Sequence, residues 1–499
     1  MATTTEQPFA LNVPDADIDL LRRKLELVRL PDELEGANWD YGVPLADIKR
    51  LVAHWQTAFD WRKSEAEINK LPMFTRDIEV DGFGTLNIHY LFEMVDTTEK
   101  PFTLSVPEPD LDLLRKKLEL VRLPDELDGA NWDYGVPLAD IKRLVTHWKD
   151  SYDWRKSEAE INKLPMFTRD IEVDGHGALN IHYIHQKSEV KNAIPLLFVH
   201  GWPGDFLEVR KMLPLLTAKS EGNPSFHVVA LSLPGFGFSE APKKPGFAGP
   251  QYAEVFNKLM LALGYDEYVY QGGDWGYLLG LHAVTHYAHK HIKAWHTNLP
   301  VSRPPTLFGN PLLYLSSLFL SWDKAAMAGL KKTAQWRTKG MGYFMEQATK
   351  PQTIGYNLED SPVGLLAWIY EKLVGWSDDY PWTDDEVIEW ISVYWFSRAG
   401  PTAAGRIYYE MTGGQTHSFY TGSQWQSIPL GVSYFPAENA QLPKSWSHMI
   451  GKLVFESSHD KGGHFAAFEQ PEKLAGDLHK MYGKGGPAHG VVPGKNGYD

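Results

Sequence analysis

Between residues 15 and 60 the apolar positions fall three or four apart. Ile18, Leu21, Leu25 and Val28 mark one face of a helix, with Asp15 or Asp17 placed to cap it. Ile48, Leu51, Val52, Trp55 and Phe59 mark a second helix. "TRDIEVDGFGTLNIHY" then predicts a hairpin around Asp81-Gly82 and Gly84. The whole pattern returns further on. Residues 7–90 recur without a gap as residues 100–183, at an offset of 93, with 69 of the 84 positions identical. Two copies of so long a period do not make a solenoid. Copy one ends in a linker, "LFEMVDTTEK". Copy two runs into the apolar strand "PLLFVH" at 195–200, so it alone continues directly into the rest of the chain.

From residue 171 the rhythm changes to short apolar runs separated by helical stretches. Strands are predicted at 171–173, 179–184, 195–200, 227–232, 267–271, 292–299, 430–435 and 451–457. Most of the later ones are uninterrupted apolar runs bounded by Gly, Pro or Asp, as strands buried on both faces should be. Helices such as 250–263 and 275–289 lie between them, which argues for a mostly parallel sheet covered on both faces. Between 301 and 429 the alternation stops. This stretch is helix-like and aromatic-rich, too long for a loop, and is expected to be an inserted lid over a pocket. The expected organisation is an extra copy of the extension with its linker (1–99), a second copy (100–170), a first core segment (171–300), the lid (301–429) and a second core segment (430–499).

Composition narrows the partners. A net charge of −14 over 499 residues disfavours nucleic acid and anionic membrane. The chain has no cysteine, which excludes disulfides, thiolate nucleophiles and Cys-ligated metal. No signal peptide or membrane anchor is evident and the cytoplasm is the expected compartment. An exchange between twin copies of the repeat would make a homodimer.

The chemistry concentrates in four short stretches. "QGGDWGYLLG", 271–280, puts Asp274 at the tip of a strand-to-helix turn where an esterase carries serine. "FVHGWPGDFLE", 198–208, follows a strand with a Gly/Pro loop able to aim backbone amides at developing negative charge. The amides of Trp202 and Trp275 would form a two-donor oxyanion hole. "ESSHDKGGHFAAFEQPEKLA" places His464 on a loop before the last helix, where the base of a nucleophile–acid–histidine order belongs. "LGVSYFPAEN" offers Glu438 as the acid that orients it, with Asp460 as the competing candidate.

Together "HGWPG", "GGDWG", "GVSYFPAE" and "GGHFAAFEQPE" resemble the epoxide hydrolases of the α/β-hydrolase superfamily, in the branch with a helical N-terminal extension. The resemblance runs from about residue 100 to residue 483. It implies an α/β-hydrolase fold, no cofactor and no metal, and an epoxide and water as substrates. It also implies Asp274 as nucleophile, His464 as base and Glu438 as its acid. Two lid tyrosines that hold the epoxide oxygen fall at Tyr343 in "MGYFMEQATKPQTIG" and at Tyr408 in "GRIYYE", with Tyr409 as the rival of the latter. The chain departs from the pattern in its doubled extension and in lacking a membrane anchor. An aspartate suits this chemistry: a carboxylate opens a strained ether by attack at carbon and leaves an ester that water can cleave, whereas serine would leave an ether.

Two signals are set aside. "PGFGFSE", 234–240, has Glu240 where a dinucleotide fingerprint needs its third glycine. His282, His286, His289 and His291 have partly helical spacing but no evident third ligand pattern for a metal. The rival functions are a hydrolytic dehalogenase on the same Asp–His–acid plan and a non-catalytic binding protein on the same scaffold.

Overall fold

The computed structural model describes residues 7–28, 30, 43–71, 73–80, 84–91, 98–414 and 425–499. The chain divides into two compact units, Met1–Val95 and Asp96–Asp499. The first contains copy one of the repeat. Helices Asp15–Glu26, Leu45–Thr57 and Trp61–Ile68 accompany a small antiparallel sheet of β1 (Gln7–Pro8), β2 (Met73–Val80) and β3 (Gly84–Leu91). The expected hairpin is therefore present, while its turn residues 81–83 and the linker residues 92–97 lie outside the described residues.

Two local expectations need correction. Asp15 and Asp17 do not cap the first helix: Pro14 occupies that position, and both carboxylates sit in the first turn, favourably placed for the helix dipole. The structure also holds a third helix that the apolar spacing does not predict, and Phe59 lies beyond the end of the second. Asp60 caps this third helix, its carboxylate accepting from the Arg62 amide at 2.9 Å. The segment "WRKSEAEI" is short and mostly charged, so apolar spacing could not reveal it.

The second unit repeats the three helices as Glu108–Glu119, Leu138–Asp150 and Trp154–Ile161. Its sheet comprises β4 (Lys100–Pro101), β5 (Met166–Val173), β6 (Gly177–Gln186), β7 (Ile194–Val199), β8 (Phe226–Leu231), β9 (Tyr268–Gly272), β10 (Ile292–Thr297), β11 (Gln426–Tyr434) and β12 (Gly451–Ser458). Among the described residues their order is β12-β11-β10-β9-β7-β8-β6-β5-β4. Strands β7 to β12 run parallel to one another, and β6, antiparallel to β8, continues into β5 and β4 as an antiparallel edge. This is the α/β-hydrolase fold. The expected boundary at 170/171 falls inside β5, because the polar run Thr168-Arg169-Asp170 interrupts the strand after Met166-Phe167 and breaks its apolar signal. Its Asp170 is held by Asn180 of β6 at 2.5 Å.

The central strands are buried throughout: every residue of β7 and β9 is buried. Strand order reverses at β7, with β8 added on one side and β9 on the other. Such a reversal opens a crevice beyond the carboxyl ends of the strands, where open α/β sheets hold their ligands.

Between β10 and β11 the described residues form a helical insertion that includes Lys324–Gln335, Gly342–Thr349, Pro362–Gly375, Asp384–Trp395 and Arg406–Thr412. Copy two packs on this insertion. Leu114, Ile141, Leu144 and Trp148 join Leu365, Leu366, Ile369 and Ile391 in one core. Polar contacts ring that core: His147 Nε2 meets Asp385 Oδ1 at 2.7 Å, and Lys117 Nζ reaches Asp360 Oδ1 at 2.5 Å. Among the described residues no helix is long and apolar enough to cross a membrane.

Candidate active site

The loops after β7 and β9 meet in the crevice. Asp274 opens the helix Asp274–Tyr287 with φ of 47°, a left-handed conformation that non-glycine residues seldom adopt. The turn thrusts its carboxylate out of the sheet. Gly201 makes the close approach feasible, since a Cβ there would lie 2.3 Å from Asp274 Oδ1. The neighbouring Trp202 amide donates to that oxygen at 2.8 Å. Trp275 is buried at the start of the same helix, where backbone amides lack intrahelical acceptors.

His464, on the loop after β12, sets Nε2 3.2 Å from Asp274 Oδ2. Its Nδ1 lies 3.1 Å from both oxygens of Glu438, which follows β11. Glu438 is itself buried and its Oε1 accepts from the Asn439 amide at 2.6 Å. Burial opposes a charge on the His464 ring, but the Glu438 charge and the hydrogen bonds to Asp274 and Glu438 outweigh it. The result is a pKa well above the ordinary histidine value. Asp460 is not at the site: its exposed carboxylate pairs with Lys473 Nζ at 2.5 Å.

Both tyrosines come from the helical insertion and are buried. The Tyr343 ring stacks on Trp202 at 5.1 Å, and Tyr408 meets Trp275 edge-on at 4.9 Å. The two phenol rings meet edge-on with their centres 6.0 Å apart. Burial first, and then neighbouring negative charge including that of Asp274, pushes both phenols well above their ordinary pKa. Tyr409, the alternative, is 42% exposed. Asp274, His464, Tyr343 and Tyr408 line one cavity of about 300 Å³, completed largely by apolar side chains such as Leu278, Val301, Phe344 and Trp376.

Several residues at the site carried no sequence signal of their own. Trp376 lies edge-on to the His464 ring at 4.9 Å, and its carbonyl accepts from the His464 amide at 2.9 Å. Glu208 closes the "HGWPGDFLE" motif, and Gln271 and Asn298 sit at the ends of β9 and β10, beneath Asp274. The histidines set aside from metal binding point to separate partners: His286 to the His282 carbonyl, His289 to Ser427 and His291 to the Asp266 carbonyl.

Comparison with known proteins identifies the family. The family model for the epoxide hydrolase N terminus matches twice, at residues 6–100 and 99–209, and the model for the alpha/beta hydrolase fold matches residues 194–344. Epoxide hydrolase 1 of Sus scrofa is 34% identical over 412 residues, which cover 78% of this chain and 89% of that protein. The chain belongs to the epoxide hydrolase family. Solved structures of the family superpose on it well. Epoxide hydrolase of Aspergillus niger matches with a TM-score of 0.66 at 34% identity, covering 77% of this chain and 96% of the other. Juvenile hormone epoxide hydrolase of Bombyx mori matches with a TM-score of 0.70 at 32% identity, covering 77% of this chain and 94% of the other. The doubled match to the N-terminal model is the duplication that the sequence shows.

Proposed function

We propose that this epoxide hydrolase converts its substrate to a vicinal diol through a covalent ester on Asp274. The observation that supports the reading best is the division of labour around that carboxylate. Oδ1 is occupied by the Trp202 amide at 2.8 Å, while Oδ2 lies 3.2 Å from His464 Nε2. Oδ2 attacks an epoxide carbon, the C–O bond of the ring breaks, and its electron pair goes to the departing oxygen. Tyr343 and Tyr408 hydrogen-bond that oxygen and supply its proton; as neutral phenols they are suited to the task across the working pH range.

Alkylation changes the histidine. Resting His464 is held charged between two carboxylates. The ester has no charge, so one of the two supports of the imidazolium vanishes, its pKa falls toward the range of a general base, and its proton passes to restore the phenol that protonated the ring oxygen. Neutral His464, oriented by Glu438, then takes a proton from water as the water oxygen attacks Asp274 Cγ. Charge developing on Oδ1 is received by the Trp202 and Trp275 amides. The Cγ–Oδ2 bond breaks and the diol leaves with the former carboxylate oxygen. The helices between β10 and β11 act as the lid, contributing the two tyrosines and much of the apolar wall, and the apolar cavity suits a compact hydrophobic epoxide.

The test is to separate the two steps with styrene oxide. His464→Gln should still alkylate, so its intact mass rises by one epoxide, with the adduct on the peptide holding Asp274. Tyr343→Phe and Tyr408→Phe should each slow adduct formation, by ~10- to 1,000-fold for the loss of one transition-state donor. A single wild-type turnover in heavy-oxygen water should give diol carrying ordinary oxygen from Asp274. Heavy oxygen in that first diol, with no adduct in His464→Gln, would make Asp274 a base and overturn the ester mechanism.

A further inference from the structure

A second, much smaller space lies beside the cavity. It measures about 20 Å³ and is walled by the core loops rather than by the helical insertion, with Gly201, Glu208, Gln271 and Asn298 among its lining. Asp274 and His464 are the two residues that line both spaces. A volume of this size holds one water molecule and nothing larger. Among the described residues Gln271 Oε1 has no hydrogen-bond partner, although the side chain is 1% exposed and its Nε2 is engaged by Asn298 Oδ1 at 3.0 Å. A buried acceptor without a protein partner, on the wall of a space one water wide, marks a water site.

Glu208 supplies the opposite kind of group. Its carboxyl presses on the Gly204 backbone so closely that any Cβ at 204 would collide with Oε1. Burial, then the charge of Asp205, raises its pKa well above the ordinary value and so favours the neutral form, which can both donate and accept. The small space is therefore lined by an unpaired acceptor, a donor–acceptor, the general base and the carboxyl carbon that must be attacked.

We propose that this chamber seats the hydrolytic water, and that Glu208 and Gln271 are positioning residues that hold it between His464 Nε2 and Asp274 Cγ. The inference rests on the covalent-ester reading and deepens it. Water waits on the core side while the epoxide occupies the apolar cavity on the lid side, so the two substrates do not compete for space. Once the ester forms, the seated water gives its proton to His464 and its oxygen to Cγ, and the diol departs into the larger cavity as Cγ–Oδ2 breaks. His464 returns the proton to the diol oxygen and then takes up the second water proton from the Asp274 carboxyl, which restores the charged ring and an Asp274 carboxylate built with the water's oxygen.

Rapid-quench intact mass of the full chain with styrene oxide tests this, because it reads alkylation and ester hydrolysis separately. Glu208→Met and Gln271→Met keep length and remove the polar end. Each should alkylate at the wild-type rate and then accumulate ester, with hydrolysis slowed about 10- to 100-fold by a misplaced nucleophile. Glu208→Gln, which keeps a donor and an acceptor, should restore hydrolysis to within a few fold of wild type. The proposal is overturned if both methionine variants hydrolyse the ester as fast as wild type while His464→Gln still traps it. Equal slowing of both steps, with no rescue by Glu208→Gln, would show a structural role and overturn it too. Should Glu208→Met fail to fold, Gln271→Met decides by the same two rates. Absence of any adduct in His464→Gln would remove the ester reading itself, an outcome distinct from the others.

Discussion

The two copies of the repeat have nearly the same sequence and different surroundings. Trp55 of copy one is 47% exposed, and its counterpart Trp148 is 5% exposed. Leu51 is 49% exposed and Leu144 is fully buried. Within its own unit, among the described residues, copy one leaves the face formed by Leu51, Trp55 and Phe59 uncovered. Copy two lays that same face on the helices Pro362–Gly375 and Asp384–Trp395. The helices themselves are identical in extent in the two copies. Local sequence thus makes the element and declares which side needs covering, but the stabilisation from covering it depends on what the rest of the chain brings there.

The contrast can be sharpened by removing matched side chains. Trp148→Ala should destabilise the second unit by ~3–5 kcal/mol, through lost burial and the cavity left behind. Trp55→Ala should change the first unit by no more than ~0.5 kcal/mol, as an exposed substitution does. Thermal melts of the two variants would show this, and equal losses would break the comparison.

Groups that act within a helix should show no such asymmetry. Asp60 caps the third helix of copy one and Asp153 caps its twin, each accepting an amide two residues on, at 2.9 and 3.0 Å. Asp60→Ala and Asp153→Ala should cost their own units the same ~1 kcal/mol, the usual worth of a cap. Denaturant titration of each variant is the measurement, and a cost confined to Asp153→Ala would mean that even the cap depends on tertiary surroundings.

The smallest effect is expected from exchanging the copies. Deleting residues 1–93 leaves copy two in place. Deleting 91–183 joins Tyr90 to Ile184 and puts copy one's sequence where copy two stood. Since 69 of 84 positions agree and the site lies elsewhere, both chains should fold and turn over styrene oxide within about twofold of the full-length enzyme. An inactive 91–183 deletion would show that the few differences, such as Phe59 for Tyr152 or Phe83 for His176, matter more than the shared face. An inactive 1–93 deletion would show that copy one is integrated with the enzyme.

Much of the core is legible in the sequence because buried parallel strands advertise themselves. "PLLFVH" and its successors are apolar on both faces and bounded by turn residues, and the strands lie within a few residues of the predicted positions except where polar residues interrupt a strand, as in β5. The turn at Asp274 is legible for a related reason. Gly272, Gly276 and the intervening tight spacing are backbone requirements, and only a few residues satisfy them. The short third helix is not legible, because its stability comes from the Asp60 and Asp153 caps and from packing of Trp154 rather than from an apolar stripe.

The choice between Glu438 and Asp460, and between Tyr408 and Tyr409, shows where sequence reading ends. Each pair offers the same functional group close by in the chain, and no propensity distinguishes them. The difference lies in direction. The loop after β11 turns Glu438 inward to His464, while Asp460 faces Lys473 at the surface. The helix Arg406–Thr412 buries Tyr408 against Trp275 and leaves Tyr409 outside. By itself the chain's sequence determined the elements, the repeat, the elbow and the set of groups available for chemistry, since these follow from spacing and backbone geometry over a few residues. Which members of that set meet, which copy of the repeat is covered, and that Glu208 and Gln271 share a one-water chamber with Asp274 were decided only by tertiary packing. Those contacts join residues that belong to separate elements, and their worth depends on burial that no local stretch contains.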